Sequence, residues 1–172
     1  KAPDDIGMSG YLSVLQMDKG DMNAAHQLAA EVLEKEPDNP DAALVESLWH
    51  IEQQEIDLAQ QHAEAVVRTE PDNPRGWFAK GLVHMYRQEH AEAITAIETA
   101  LRQTPNHVGT IVTLGWARFA ARDVLGAERT FRQAVTADGT FAEAHGGLAV
   151  MLIFQKRLDE ARRETQIPQG LG

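Results

Sequence analysis

Two short stretches decide the fold: KEPDNPDA at Lys35–Ala42 and TEPDNPRG at Thr69–Gly76. Both carry Glu-Pro-Asp-Asn-Pro, and their first prolines, Pro37 and Pro71, lie thirty-four positions apart. Proline cannot donate a backbone hydrogen bond and disfavours helix in the residue before it, whereas Asp and Asn cap a helix that follows. Each stretch is therefore predicted to end one helix and to start the next.

The same spacing continues beyond these two stretches. A further step of equal length leads from Pro71 to Pro105, and another leads to Gly139. A column of alanines follows the same period, where a larger side chain would cost about 1–3 kcal/mol if two helices approach closely there. Its members are Ala25, Ala59, Ala93, Ala127 and Ala161. Internal repetition of this length is typical of stacked repeat units.

Each unit is predicted to contain two helices. Between Pro74 and Pro105 the apolar residues recur at spacings of three and four, as on one face of a helix. The polar stretch RQEH at Arg87–His90 divides this segment into two halves. One unit is therefore a helix, a tight turn, a second helix and a Pro-Asp-Asn turn.

This pattern resembles the tetratricopeptide repeat family, as found in bacterial proteins. The third unit carries the family's marker residues at Trp77, Gly81, Ala93, Ala100-Leu101 and Pro105. The resemblance implies an all-α fold, a right-handed α-solenoid of stacked helix-turn-helix units. We predict a leader (1–5), repeats 1 to 4 (6–39, 40–73, 74–107 and 108–141), a partial fifth repeat with capping helices (142–167) and a tail (168–172).

Two charged residues depart from the family pattern. Its leucine position holds Glu46 in the second unit and Lys80 in the third. We expect these two side chains to form an ion pair between adjacent helices, worth about 0–1 kcal/mol if it is exposed.

In the family, the first helix of each unit lines a concave groove. This phasing places an apolar set of side chains there, and large exposed apolar surfaces usually mark binding sites. The predicted groove residues are Met17, Leu44, Leu48, Ile51, Phe78, Leu82, Met85, Tyr86, Val112, Trp116, Phe119, Ile153 and Phe154. Among them, Phe78, Leu82, Tyr86, Trp116 and Phe119 are the expected anchors. Packing on neighbouring repeats is the alternative reading, above all for the flanking Val14 and Val150.

The groove predicts a non-enzymatic scaffold or chaperone-like adaptor that binds an apolar peptide or an amphipathic helix. The positions at which chaperone-binding relatives hold a carboxylate clamp are here Gly10, Leu44, Phe78 and Val112, so no clamp is predicted. One alternative is a self-associating module, in which the tail IPQGLG or a second copy fills the groove as a homodimer. Another is that the chain is the adaptor region of a longer protein, since it begins at Lys1.

Composition limits the partners and the chemistry. The net charge of −10 repels nucleic acid phosphates and anionic lipid head groups. The absence of cysteine excludes disulfides, thiolate zinc sites and cysteine nucleophiles. No apolar run is long enough to span a membrane, and a chain without cysteine suits the cytoplasm and the periplasm equally well.

The sequence predicts no catalytic, cofactor-binding or metal-binding residues. None of the seven histidines forms a His-x-x-x-His pair, and His62 and Glu64 face different ways on a helix. His50 and His84 hold equivalent positions in adjacent repeats, roughly 10 Å apart. Serines have no paired His and Asp, and no glycine-rich loop is placed to bind phosphate.

Overall fold

The computed structural model describes residues 4–165, with side chains from Ile6 onward. Over this span the chain forms ten α-helices and no β-strand, which confirms the predicted all-α class of helical repeats. The helices are α1 (Asp4–Asp18), α2 (Met22–Leu33), α3 (Pro40–Glu52), α4 (Ile56–Thr69), α5 (Pro74–Tyr86), α6 (His90–Gln103), α7 (Val108–Ala120), α8 (Val124–Ala137), α9 (Ala142–Phe154) and α10 (Leu158–Thr165).

The chain divides into two compact units, Lys1–Arg87 (unit 1) and Gln88–Gly172 (unit 2). In unit 1, each helix packs on the next from α1 to α5, and the first helices also meet directly, α1 with α3 and α3 with α5. In unit 2, α6 packs on α7, and the pattern continues to α10, with α7 also meeting α9. Within each unit, the first helix of a repeat therefore contacts second helices and also, directly, the first helix of a neighbouring repeat.

The repeated proline stretches act at the starts of α3 and α5. Pro40 and Pro74 occupy the first helical positions, where the missing N–H of proline is harmless. The preceding Asn39 accepts a hydrogen bond from the backbone N–H of Ala42, and Asn73 accepts from Arg75 and Gly76. The two asparagines, rather than the aspartates beside them, are thus the capping residues.

The helix starts follow the period seen in the sequence. Helices α3, α5, α7 and α9 begin at Pro40, Pro74, Val108 and Ala142, which are evenly spaced along the chain. Helix α1 begins at Asp4, within the segment predicted as a leader. Residues 168–172 of the predicted tail lie outside the described part of the chain, as does the segment IPQGLG in the self-filling alternative.

The turn between the two helices of each repeat contains a residue whose φ lies in the left-handed region. These residues follow the same period: Gly20, Gln54, Gln88, Arg122 and Lys156, with φ between 61° and 85°. Only the first is glycine, the residue that adopts this conformation without strain. The turn conformation is therefore the same in all the repeats, although its residue type is not.

The column of alanines lies in the interior, as predicted. Ala25, Ala59, Ala93 and Ala127 are fully buried, and Ala161 is nearly so.

In unit 2, the ring of Phe131 fills the space that two glycines leave. A Cβ atom at Gly115 would lie 2.7 Å from Phe131 Cζ, and one at Gly147 would lie 2.2 Å from Cε1. Gly147 is therefore required by close packing.

The predicted ion pair between Glu46 and Lys80 is wrong. The Glu46 carboxylate accepts a hydrogen bond from His26, at 2.8 Å. The ammonium group of Lys80 lies over the indole ring of Trp77, one helical turn away. The Glu46 carboxylate is thus paired with a histidine of α2, and the Lys80 ammonium group with an aromatic ring of its own helix.

Candidate protein-binding faces

Three of the predicted groove residues are buried, so the expectation that they line an open groove is corrected. Leu44 packs with Ala63 and Ala79, and Ile51 packs with Ala59 and Val83. Val112 lies inside the main cluster of unit 2. Because first helices contact one another directly, a residue between two of them is covered by the next first helix. These three side chains contribute to the core.

Four predicted groove residues in unit 1 are half-buried at the edges of the core clusters or beside them. Met17, Leu48 and Leu82 contact buried residues of these clusters. Phe78 is also half-buried, on α5. Each therefore presents part of its apolar surface to solvent and part to the core.

At the end of α5, the predicted residues become more accessible. Met85 is half-buried, and Tyr86 is exposed. Together with Phe78 and Leu82 they give α5 a partly exposed apolar surface, of which Leu82 also contacts the core of unit 1.

The predicted groove residues of unit 2 form a chain of aromatic contacts. Trp116 packs edge-to-face on the buried Phe131 at 5.0 Å and lies 6.1 Å from Phe119. Phe119 in turn packs edge-to-face on Phe154, with ring centroids 4.9 Å apart. Such pairs contribute about 0.5–1.5 kcal/mol beyond area burial. Each ring of this chain is therefore in contact with the next one.

The outer end of this chain is open to solvent. Phe154 is 62% exposed, and its neighbour Ile153 is 52% exposed. We call Trp116, Phe119, Ile153 and Phe154 the aromatic face. It joins α7 to α9 and runs from the core of unit 2 to its surface.

A polar network fixes the end of α9, where the aromatic face is exposed. Glu128 accepts hydrogen bonds from Gln155 at 2.7 Å, and from Arg132 and Arg157 at 2.8 Å. Burial favours the neutral carboxyl group, but the hydrogen bonds from these three side chains outweigh it and lower the pKa of Glu128 from 4.5 to about 2. The turn after Phe154 is thereby attached to α8.

Two further features were missed by the sequence analysis, both in unit 1. On α1, Met8, Tyr11 and Leu12 are exposed. Their equivalents one repeat period later are Ala42, Val45 and Glu46, all of which are buried. Comparison of equivalent positions between repeats could have revealed this apolar surface.

The second missed feature is a cluster of Glu46, His50 and His62 between α3 and α4. The i, i+4 spacing of Glu46 and His50 is visible in the sequence. The approach of His62 depends on how α4 packs on α3, which the comparison of single-helix spacings does not capture. Burial lowers the pKa of His62, while the nearby Glu46 carboxylate acts in the opposite direction.

Consecutive helix pairs with small residues at their contacts define a helical-repeat protein, and the partly exposed aromatic face is the kind of surface that binds other polypeptides. The sequence pattern of the tetratricopeptide repeat matches residues 50–108 and 112–166, about two thirds of the chain. The chain belongs to the tetratricopeptide repeat family, whose repeats form protein-interaction scaffolds.

Solved structures have the same fold. TTC0263, a thermophilic tetratricopeptide repeat protein of Thermus thermophilus, is 19% identical, with 92% of this chain and 87% of that chain covered and a TM-score of 0.76. PilF of Pseudomonas aeruginosa is 17% identical, with 95% and 75% covered and a TM-score of 0.81. A MamA fragment from Desulfovibrio magneticus is 16% identical, with 95% and 93% covered and a TM-score of 0.77.

No curated protein sequence matches the chain significantly. Among the helices of residues 4–165, none combines the length and the apolar character needed to cross a membrane.

Proposed function

We propose that this chain is a non-enzymatic protein-binding module and that the aromatic face binds an apolar stretch of a partner polypeptide. The observation that carries the proposal is the exposure of Phe154 and Ile153 at the end of an ordered chain of rings. Large apolar side chains contribute about 1.5–3 kcal/mol each when they become buried. A few such anchors supply most of the affinity of a typical interface.

The preferred partner is an amphipathic helix with basic residues beside its apolar stripe. A helix presents apolar side chains at spacings of three and four, which suits a row of rings on α7 and α9. The net charge of −10 favours approach of a positively charged partner. The apolar surface of α5, with Phe78 and Tyr86, is a second contact surface of the same type in unit 1.

A synthetic helical peptide of about four turns, with leucine on one stripe and lysine elsewhere, tests the proposal. Isothermal titration calorimetry is expected to show binding to the unmodified chain. Because Phe154→Ser removes an exposed anchor, it should weaken binding at least about tenfold. Ile153→Ser should act in the same direction.

Leu125→Ser is the matched control, since Leu125 is 60% exposed but lies on α8. Its affinity for the peptide should equal that of the unmodified chain. A peptide in which alanine replaces the leucines should not bind. Equal affinity of the Phe154→Ser and unmodified chains would remove the aromatic face from the proposal.

Self-association is a second candidate, favoured by the apolar surface of α1. Met8 and Tyr11 are more than half exposed, although their equivalents in α3 and α5 pack on the preceding second helix. The occupant we propose is α1 of a second copy, so that two identical apolar surfaces cover each other.

Sedimentation equilibrium over a dilution series measures this association. Dimers that dissociate on dilution are expected for the unmodified chain. Tyr11→Lys should give monomers throughout, whereas Leu58→Lys, at an exposed position of α4, should leave the dimer unchanged. A chain that is monomeric at every concentration excludes this candidate.

A further inference from the structure

Three side chains with metal-ligating groups meet where α3 packs on α4. Glu46 and His50 lie one helical turn apart on α3, and His62 faces them from α4. One ligand atom of each lies within 4.8 Å of the others. We propose that Glu46, His50 and His62 form a binding site for a divalent transition-metal ion, preferentially Zn²⁺.

The distance between Glu46 and His50 suits a tetrahedral ion, and a rotation of His62 completes the site. Glu46 Oε2 and His50 Nε2 are 3.6 Å apart, and bonds of about 2.0–2.2 Å to zinc place two tetrahedral ligands about 3.4 Å apart. The rings of His50 and His62 lie parallel with centroids 5.5 Å apart. Because a ring nitrogen binds a metal in the plane of its ring, His62 has to rotate out of this parallel arrangement as well as approach from within 4.8 Å.

Two neighbouring groups orient the ligands, and the first of them acts on His50. His50 Nδ1 lies 2.7 Å from a carboxylate oxygen of Glu55. Because a carboxylate only accepts hydrogen bonds, Nδ1 carries a proton, and in the neutral imidazole this leaves the lone pair on Nε2, which faces Glu46. Metal-ligating histidines are usually held in this way by a carboxylate.

The Glu46 carboxylate is held in a similar manner. Its Oε1 atom accepts a hydrogen bond from His26 Nδ1 at 2.8 Å, which leaves Oε2 facing His50. The ring of His26 is itself fixed by stacking on Trp49, with centroids 4.3 Å apart. The site therefore has a supporting shell from α2 as well as ligands from α3 and α4.

The repeat architecture does not require metal-ligating residues at these positions. In the fourth repeat, two periods further along the chain, the equivalents of the three ligands are Leu114, Arg118 and Thr130. Glu46 is only 5% exposed, and a buried carboxylate is costly unless it is paired or coordinates a metal. His26 and His50 already lie beside this carboxylate, and a bound cation would add to that pairing. The fourth repeat, with Leu114 at this position, has no carboxylate to compensate.

The ligand set indicates the class of ion. Two imidazoles and one carboxylate suit zinc and similar transition metals, whereas calcium and magnesium prefer oxygen ligands. Three protein ligands leave a fourth position for water or another donor. The ion would connect α3 to α4 within unit 1.

Metal analysis of the dialysed chain tests the site. After incubation with Zn²⁺ and removal of excess ion, mass spectrometry should find a single zinc ion per chain. Glu46→Gln, His50→Ala and His62→Ala should each lose the ion, whereas His90→Ala, on α6, should retain it. His26→Ala should weaken zinc affinity about 10–100-fold without abolishing binding, because His26 supports the ligand Glu46.

Cobalt and thermal unfolding provide readouts that do not depend on the alanine variants folding. Co²⁺ added to the unmodified chain should give the intense visible absorption of tetrahedral coordination, and Glu46→Gln should remove it. The melting temperature should rise with free Zn²⁺ but not with Mg²⁺. The proposal is overturned if the unmodified chain takes up no zinc, or if Glu46→Gln and His62→Ala bind zinc as tightly as the unmodified chain does.

Discussion

The two units place different residues at equivalent positions of the same helical arrangement. In unit 2, Phe131 is fully buried between Gly115 and Gly147. The equivalent positions in unit 1 hold Ala63 between Ser47 and Ala79, all buried. A large residue beside two glycines in unit 2 thus replaces a small residue beside serine and alanine in unit 1. The same place in the repeat is therefore packed with residues of different sizes in the two units.

A second difference concerns polarity. At the position of the buried Glu46, unit 2 has the buried Leu114 and Leu148. Between α3 and α4, unit 1 thus adds a polar cluster of histidine and glutamate to its apolar clusters, whereas the equivalent place in unit 2 belongs to an apolar and aromatic core. The repeat pattern determines the backbone, while these substitutions give each unit its own chemistry and its own surface.

Removal of the Phe131 ring from unit 2 should have the largest effect on stability. Phe131→Ala deletes a fully buried side chain, and we expect the free energy of unfolding to fall by about 3–5 kcal/mol. Urea unfolding followed by circular dichroism measures the change. Leu125→Ala, at an exposed position of the same helix, should stay within about 0.5 kcal/mol. A small loss in the free energy of unfolding for Phe131→Ala would mean that the stability of unit 2 does not depend on the Phe131 ring.

Two adjacent glycines of α9, Gly146 and Gly147, test the packing of this helix against the Phe131 ring. Gly147→Ala places a methyl group against the Phe131 ring and should destabilise the chain by about 1–3 kcal/mol. Gly146→Ala meets nothing within 4 Å and should stabilise it by about 0.5–1 kcal/mol, because alanine favours helix. In a Phe131→Ala background the penalty at Gly147 should disappear. Equal effects of the two substitutions would contradict the close approach.

The polar network of unit 2 should make its stability depend on pH. Because the pKa of Glu128 in the folded chain is about 2, below its usual 4.5, its contribution is complete above pH 4.5 and is lost as the pH falls towards 2. At pH 7, Glu128→Gln should cost about 1–2 kcal/mol. The difference between this variant and the unmodified chain should shrink between pH 4.5 and 2 in urea unfolding. A difference independent of pH would show that the charge of Glu128 does not matter.

The left-handed turns should show the smallest effects. Arg122→Gly relieves a strained conformation in unit 2 and should raise the free energy of unfolding by up to about 1 kcal/mol. Gly20→Ala introduces the strain into the equivalent turn of unit 1 and should lower it by about 1 kcal/mol. Thermal unfolding of both variants checks the signs. The same sign for both would argue against equivalent turns.

Much of the fold follows from local rules in the sequence. The proline stretches predict helix starts because proline and asparagine act on the residues next to them. The column at Ala25 and its equivalents predicts helix contacts because the small size of alanine can be seen in the sequence at each position. The burial of Leu44 and Val112 was missed because it depends on a neighbouring first helix. The approach of His62 to Glu46 was missed for a similar reason, since it requires the geometry between two helices.

The most direct test of the proposed function maps the contact of the amphipathic peptide by nuclear magnetic resonance of the intact chain. Amide and side-chain signals of Phe119, Ile153 and Phe154 should shift most on titration, while those of Leu125 should stay unchanged. Largest shifts at Met8 and Tyr11 of α1, or no shifts at peptide concentrations that saturate binding in calorimetry, would contradict the assignment of the aromatic face as the binding surface.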